Sequence, residues 1–277
     1  MPDILPSLPR SARLPLNRCN LPAVILGSLT YQTHPVPLQL DSVDDLHSAL
    51  FSGMLPSLDT HPQRAERFID YMSVHFCLEH LEDAGLTPGR RRRKYRTNAN
   101  YLRMVRGWSF DSDGREGAVL KHWAETRFGL LARYHGGVLN GHDSDAYHQY
   151  LVEGAQGLYA TNALESQLDL LYTYCQYELA RQFPEASHVT LYRGINRLDG
   201  HELLERLSGG RYRVILNNLN SFTRSRERAD EFGDSILETR VPLPKVFFYN
   251  RLLPGMLKGE DEYVVIGGVY EVQISGL

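Results

Sequence analysis

The sequence predicts an α+β protein, with a helical N-terminal half followed by a mainly β C-terminal half. From about residue 41 to 184, apolar side chains recur at helical spacings. From about 188 they gather instead into short runs rich in β-branched and aromatic residues, separated by Gly, Pro and Asn. The chain is long enough to bury a sizeable core: 277 residues, 42% hydrophobic and 23% charged, fit one large domain or two modest ones.

Residues 1–40 are rich in Pro and Leu without clear periodicity, and read as an extended arm over the surface or across a partner subunit. Residues 41–184 form the helical region. Thr60-His-Pro-Gln63 has the form of a capping box with Pro in the first turn. Ala65, Phe68, Ile69, Met72, Phe76 and Leu81 follow, predicting a helix over about 61–84 that ends near Gly85. Asp113-Gly-Arg-Glu116 and Asn162-Ala-Leu-Glu165 repeat the capping pattern before helices over 118–134 and 163–182, the second stopped by Pro184. Residues 185–277 form a β-rich region, with strands expected at 188–194, 211–218, 235–241, 245–250, 262–268 and 270–274. The chain lacks the internal repeat of a solenoid.

A formal net charge of -3 gives no general attraction to nucleic acid or anionic lipid. Cys19, Cys77 and Cys175 are odd in number, far apart and without ligand spacing, so they read as free thiols of a reducing cytoplasm. The N-terminal stretch, with Asp3 and several prolines, is not ordered like a signal peptide, and no apolar run approaches the ~18 residues of a membrane span. Phosphate-loop, dinucleotide-fold and zincin motifs are missing. Asp111-Ser-Asp-Gly114 resembles only the opening of a calcium loop, without its later ligands.

The basic run Gly89–Arg96 reads first as a solvated loop, then as a docking surface for an acidic protein, and last as a nucleic-acid patch. In the β half, Leu191-Tyr-Arg193-Gly194 delivers an arginine at a strand end beside a glycine that could admit a ligand; a strand-end salt bridge is the plain alternative. In Asn220-Ser221-Phe222-Thr223, strand alternation puts both hydroxyls on one face and Phe222 on the other, with a short helix after it expected to pack Ala229 and Phe232. Glu260 and Glu262 precede an apolar strand, on one side of the chain and about 7 Å apart. That separation lets two carboxylates divide glycosyl chemistry, though an acidic surface turn would look the same.

Taken in this order, the strand-end arginine, the serine with its following helix, and Glu-x-Glu entering an apolar strand resemble the Arg-Ser-Glu class of mono-ADP-ribosyltransferases. The helical first half and basic run are similar to the bacterial branch that acts on dinitrogenase reductase. The resemblance implies an antiparallel ADP-ribosyltransferase fold with an NAD cleft between two sheets and no required metal. Arg193 would hold the NAD phosphates, with Gly194, Thr223 and Phe232 lining the cofactor, and Ser221 would support both the nicotinamide ribose and the catalytic Glu262. Glu260 would orient an acceptor arginine. The loop before it would recognise the target through Leu252, Leu253, Met256 and Leu257. The middle residue of the serine motif departs from the class, with Phe222 where a small residue is usual. The implied target is an arginine of dinitrogenase reductase, the iron protein of nitrogenase, with PII-family signal proteins as regulators. NAD glycohydrolysis, a regulatory module with a decayed NAD site, and nucleic-acid binding remain the other readings; the presence of Arg193, Ser221, Glu260 and Glu262 argues against decay.

Overall fold

A computed structural model describes residues 7–43, 46–78, 100–139, 144–158, 162–196, 202–257 and 261–276. Helices α1 (Ala23–Leu26), α2 (Leu29–Thr33), α3 (His61–Phe76), α4 (Tyr101–Phe110), α5 (Arg115–Phe128), α6 (Asp145–Leu158) and α7 (Asn162–Gln182) precede the strands. The strands are β1 (His188–Ile195), β2 (Glu202–Arg206), β3 (Arg211–Thr223), β4 (Ser235–Pro242), β5 (Val246–Tyr249) and β6 (Glu262–Ser275), with α8 (Arg226–Asp230) between β3 and β4. The helical half and the antiparallel β half are therefore as expected. No helix among the described residues is long and apolar enough to cross a membrane.

Residues 7–40 are not an extended arm. Leu8, Ala12, Leu26, Leu29 and Tyr31 are buried in the core. Beyond their three paired residues β4 and β6 part company, and Gln32 of α2 bridges the gap. Its amide donates to Thr239 Oγ1 and the Arg240 carbonyl, and its Oε1 accepts the Glu271 N–H. A neutral side chain with both donors and an acceptor is suited to satisfying two diverging strands.

The Thr60–Gln63 capping box forms as expected and opens α3. The helix stops at Phe76, not near residue 85, because Cys77 turns left-handed (φ 50°) and the Cys77 and Leu78 N–H groups fold back onto the Val74 and Ser73 carbonyls, a Schellman closure. The rest of the expected helix and the basic run at 90–96 lie outside the described residues. The helix expected at 118–134 starts earlier, at Arg115, and its N-cap is Gly114, which has no side chain to cap with; Asp113 lies one residue outside, its carboxylate paired with Lys121 Nζ at 2.8 Å. It ends at Phe128, where Gly129 takes φ 69°, a conformation costly for any residue with a Cβ. Helix α7 runs as expected to Gln182, just short of Pro184.

Two buried ion pairs join the helices: Arg127 binds Asp169 by two bonds of 2.8 and 3.0 Å, and Arg64 binds Glu178 at 2.6 and 2.9 Å. Trp123 Nε1 also donates to Asp169, and its ring lies 4.4 Å from that of Phe247 on β5. Tyr172 and Gln176 of α7 donate to the Pro244 and Val246 carbonyls. One hydrophobic core thus runs from the helices into the sheet.

The strands form one antiparallel system in the order β2-β3-β1-β4-β6-β5, closed by a further pairing of β3 with β6. The two segments expected at 262–268 and 270–274 are a single strand, β6, which bends at Gly267 and Gly268 where its register against β3 shifts between Leu216 and Leu219. β2 was not foreseen, because all five of its residues are exposed and no alternation marks it.

Lys245, fully buried, donates to the Gly267 carbonyl at 2.6 Å and sits over the Tyr270 and Tyr31 rings. Burial lowers its pKa from 10.5 to about 7. The unfolded chain therefore binds the extra proton above that value. The cost of burying the ammonium is fully present below pH 7 and is relieved as pH rises. Urea melts over about pH 7–9 should show wild-type stability gaining roughly 1 kcal/mol per pH unit on Lys245→Met. Parallel pH profiles would contradict this placement.

Candidate active site

The β3–β6 ladder pairs Ser221 with Val264 and Thr223 with Glu262. Alternation then sends Phe222, 3% exposed, into the core and leaves Ser221 on the opposite face. Glu262, the first residue of β6, is the diagonal neighbour of Ser221, and Ser221 Oγ donates to Glu262 Oε1 at 2.7 Å. On the other side of β3, Tyr192 of β1 pairs with Thr223. The next residue, Arg193, donates Nη1 to the Ser221 carbonyl at 3.0 Å. Three of the expected residues, from three strands, therefore meet.

Other expected residues have different surroundings. Thr223 Oγ1 accepts the Ser225 N–H at 3.1 Å and so shapes the turn into α8. Ala229 packs in the core as expected, but Phe232 lies beyond the helix and is 67% exposed. The absent side chain of Gly194 makes room for the protein itself: a Cβ there would collide with the Ala229 carbonyl and Gly233 N. Leu252 and Leu253, expected at the surface as target contacts, are fully buried, because the chain after β5 folds back through a Leu252 N–H to Tyr249 carbonyl bond and the His61 ring pairs with the Leu252 carbonyl. Met256 and Leu257 are half-buried against the core. Glu260 lies outside the described residues.

Burial lowers the pKa of the half-buried Arg193 guanidinium, while the Asp113 and Glu262 carboxylates oppose that shift. Burial likewise lowers Lys121, against the pull of Asp113, and the charge of Arg193 adds to the lowering. Asp113 thus ion-pairs with Lys121 and acts at longer range on Arg193, as does Glu262. A planar five-donor fork in such a field is suited to phosphate oxygens, and a fixed carboxylate beside it to positive charge developing on a sugar carbon.

Two further residues at this site, both on α4, were not foreseen. Trp108 Nε1 donates to Ser221 Oγ at 2.9 Å, and Ser109 Oγ donates to Glu262 Oε2 at 2.6 Å. The apolar stripe Tyr101, Met104, Val105, Trp108 identifies the buried face of α4, but nothing local indicates that residues more than a hundred positions downstream complete it.

The family model for dinitrogenase reductase ADP-ribosyltransferase matches residues 16–274. The NAD(+)–dinitrogen-reductase ADP-D-ribosyltransferase of Rhodospirillum rubrum is 39% identical over 263 residues, covering 94% of this chain and 95% of that protein. No solved structure matches.

With Leu253 in the core, Leu253→Ala should cost about 2–5 kcal/mol of stability in a urea melt. A loss below about 1 kcal/mol, as at an exposed site, would contradict its burial.

Proposed function

The chain belongs to the dinitrogenase reductase ADP-ribosyltransferase family, and we propose that it transfers ADP-ribose from NAD to an arginine of dinitrogenase reductase, releasing nicotinamide and switching off nitrogenase. The observation that carries the site assignment is the meeting of Arg193, Ser221 and Glu262 across three strands, within a chain that matches the family almost end to end.

In this reading Arg193 binds the NAD diphosphate and Ser221 holds Glu262 against the nicotinamide ribose. The bond from the ribose carbon to nicotinamide breaks, and its electron pair leaves with the neutral nicotinamide. Positive charge builds on the ribose carbon, where the Glu262 carboxylate stabilises it with little reorganisation. A guanidinium is a poor nucleophile until it loses a proton, so Glu260 is assigned to orient the acceptor arginine and take that proton as the new carbon–nitrogen bond forms. Glu262 is the carboxylate assigned to the reacting carbon, and neither step calls for a metal. Met256 and Leu257 remain as target contacts, whereas buried Leu252 and Leu253 do not. A PII-family regulator and a cytoplasmic setting complete the proposal, supported by the family resemblance.

The test is transfer of adenylate-labelled NAD to purified dinitrogenase reductase. Wild type should label the target, Glu262→Gln should reduce labelling by about 10² or more, and Glu260→Gln should lose transfer while still hydrolysing NAD. NAD consumption without labelled protein would make the enzyme a glycohydrolase instead.

A further inference from the structure

Resting on that reading, we infer that Trp108 and Ser109 are positioning residues for Glu262, so that the helical half completes the catalytic centre. An indole N–H can only donate, and an ionised carboxylate can only accept. Ser221 Oγ lies between the two, 2.9 Å from Trp108 Nε1 and 2.7 Å from Glu262 Oε1. Its single proton therefore has one place to go, onto Glu262. Trp108 sets the direction of the Ser221 hydroxyl without touching the carboxylate.

Ser109 acts on the other oxygen. Its hydroxyl has two acceptors in reach, Glu262 Oε2 at 2.6 Å and the Val105 carbonyl at 3.2 Å. With one proton to give, the short charge-assisted bond takes it. Both carboxylate oxygens are then fixed, one from the sheet and one from α4. This sets the plane of the group, which a single bond would leave free to rotate.

Such positioning works only if α4 is itself fixed, and it is tied down at several points. Asn100 Oδ1 caps it through the Arg103 N–H at 2.8 Å, and the Tyr101 N–H donates to Gln167 Oε1 of α7 at 3.0 Å. Gly107 packs so closely on Glu116 of α5 that a Cβ would overlap it. Arg106 Nε bonds the Met256 carbonyl at 2.9 Å, joining the same helix to the turn that leads toward Glu262. Catalytic groups held within a fraction of an ångström by such supports need not reorganise at the moment of reaction.

Trp108→Phe keeps an aromatic six-membered ring and removes the donor; Ser109→Ala removes the hydroxyl and Ser109→Thr restores it. In the labelled-NAD assay, each of the first two should lower kcat by about tenfold while KM for NAD stays within about threefold, since the lost bonds orient the carboxylate and do not bind substrate. Ser109→Thr should recover most of the loss, and melting temperatures should confirm that all three variants are folded. Unchanged kcat in an active wild-type background would overturn this inference alone. A lower KM with kcat intact in Ser109→Ala would also overturn it, making Ser109 a competitor of the ribose hydroxyl, and a threonine variant as slow as alanine would reduce Ser109 to packing. A wild type that neither labels the target nor consumes NAD would remove the functional reading and this inference with it.

Discussion

The hydrogen bond from Ser221 to Glu262 exists in only one register of β3 against β6, the register that pairs Thr223 with Glu262. A slip of one residue would turn one of the two side chains to the opposite face. Much of the surrounding structure pins that register. The ladder is interrupted at one place, beside Gly267 and Gly268, and there Lys245 takes the Gly267 carbonyl while the Gly27 carbonyl takes the Val269 N–H. Gln32 closes the gap where β4 leaves β6. The N-terminal segment is therefore part of what holds β3 and β6 in place.

Around this bond lie charges of both signs. Lys121 ion-pairs with Asp113, whose charge also acts on Arg193, and both guanidinium and ammonium are held partly out of water, where their fields are less screened. The Glu262 charge acts on Arg193 as well, and both of its oxygens are bonded. A dinucleotide with a negative diphosphate and a positively charged leaving group matches that order of charges. The helical half contributes Asp113, Lys121, Trp108 and Ser109 to it, so the division into two halves describes the sequence better than it describes the site.

Much of this was legible in the sequence. The capping box at Thr60, the stop before Pro184, and the change of period near residue 188 gave the architecture, because each depends on local backbone chemistry. Arg193, Ser221 and Glu262 could be picked out by their order along the chain. What escaped was set by long-range packing. Leu252 and Leu253 look like an exposed apolar loop until the turn after β5 folds them inward. Gly194 looks like a ligand's approach path, yet the segment from Ala229 to Gly233 fills it. Asp113 looks like a helix cap but pairs with Lys121. Trp108 and Ser109 carry no motif, and their role depends on partners in strands far along the chain.

A double-mutant cycle on the transfer rate, comparing Ser221→Ala, Glu262→Gln and the pair, tests most directly whether Ser221 acts through Glu262. If it does, the double variant should be no slower than Glu262→Gln alone, the two losses failing to add by a coupling of about 1 kcal/mol or more. Losses that multiply would mean that the two residues work independently, and the bond across β3 and β6 would not be what organises the site.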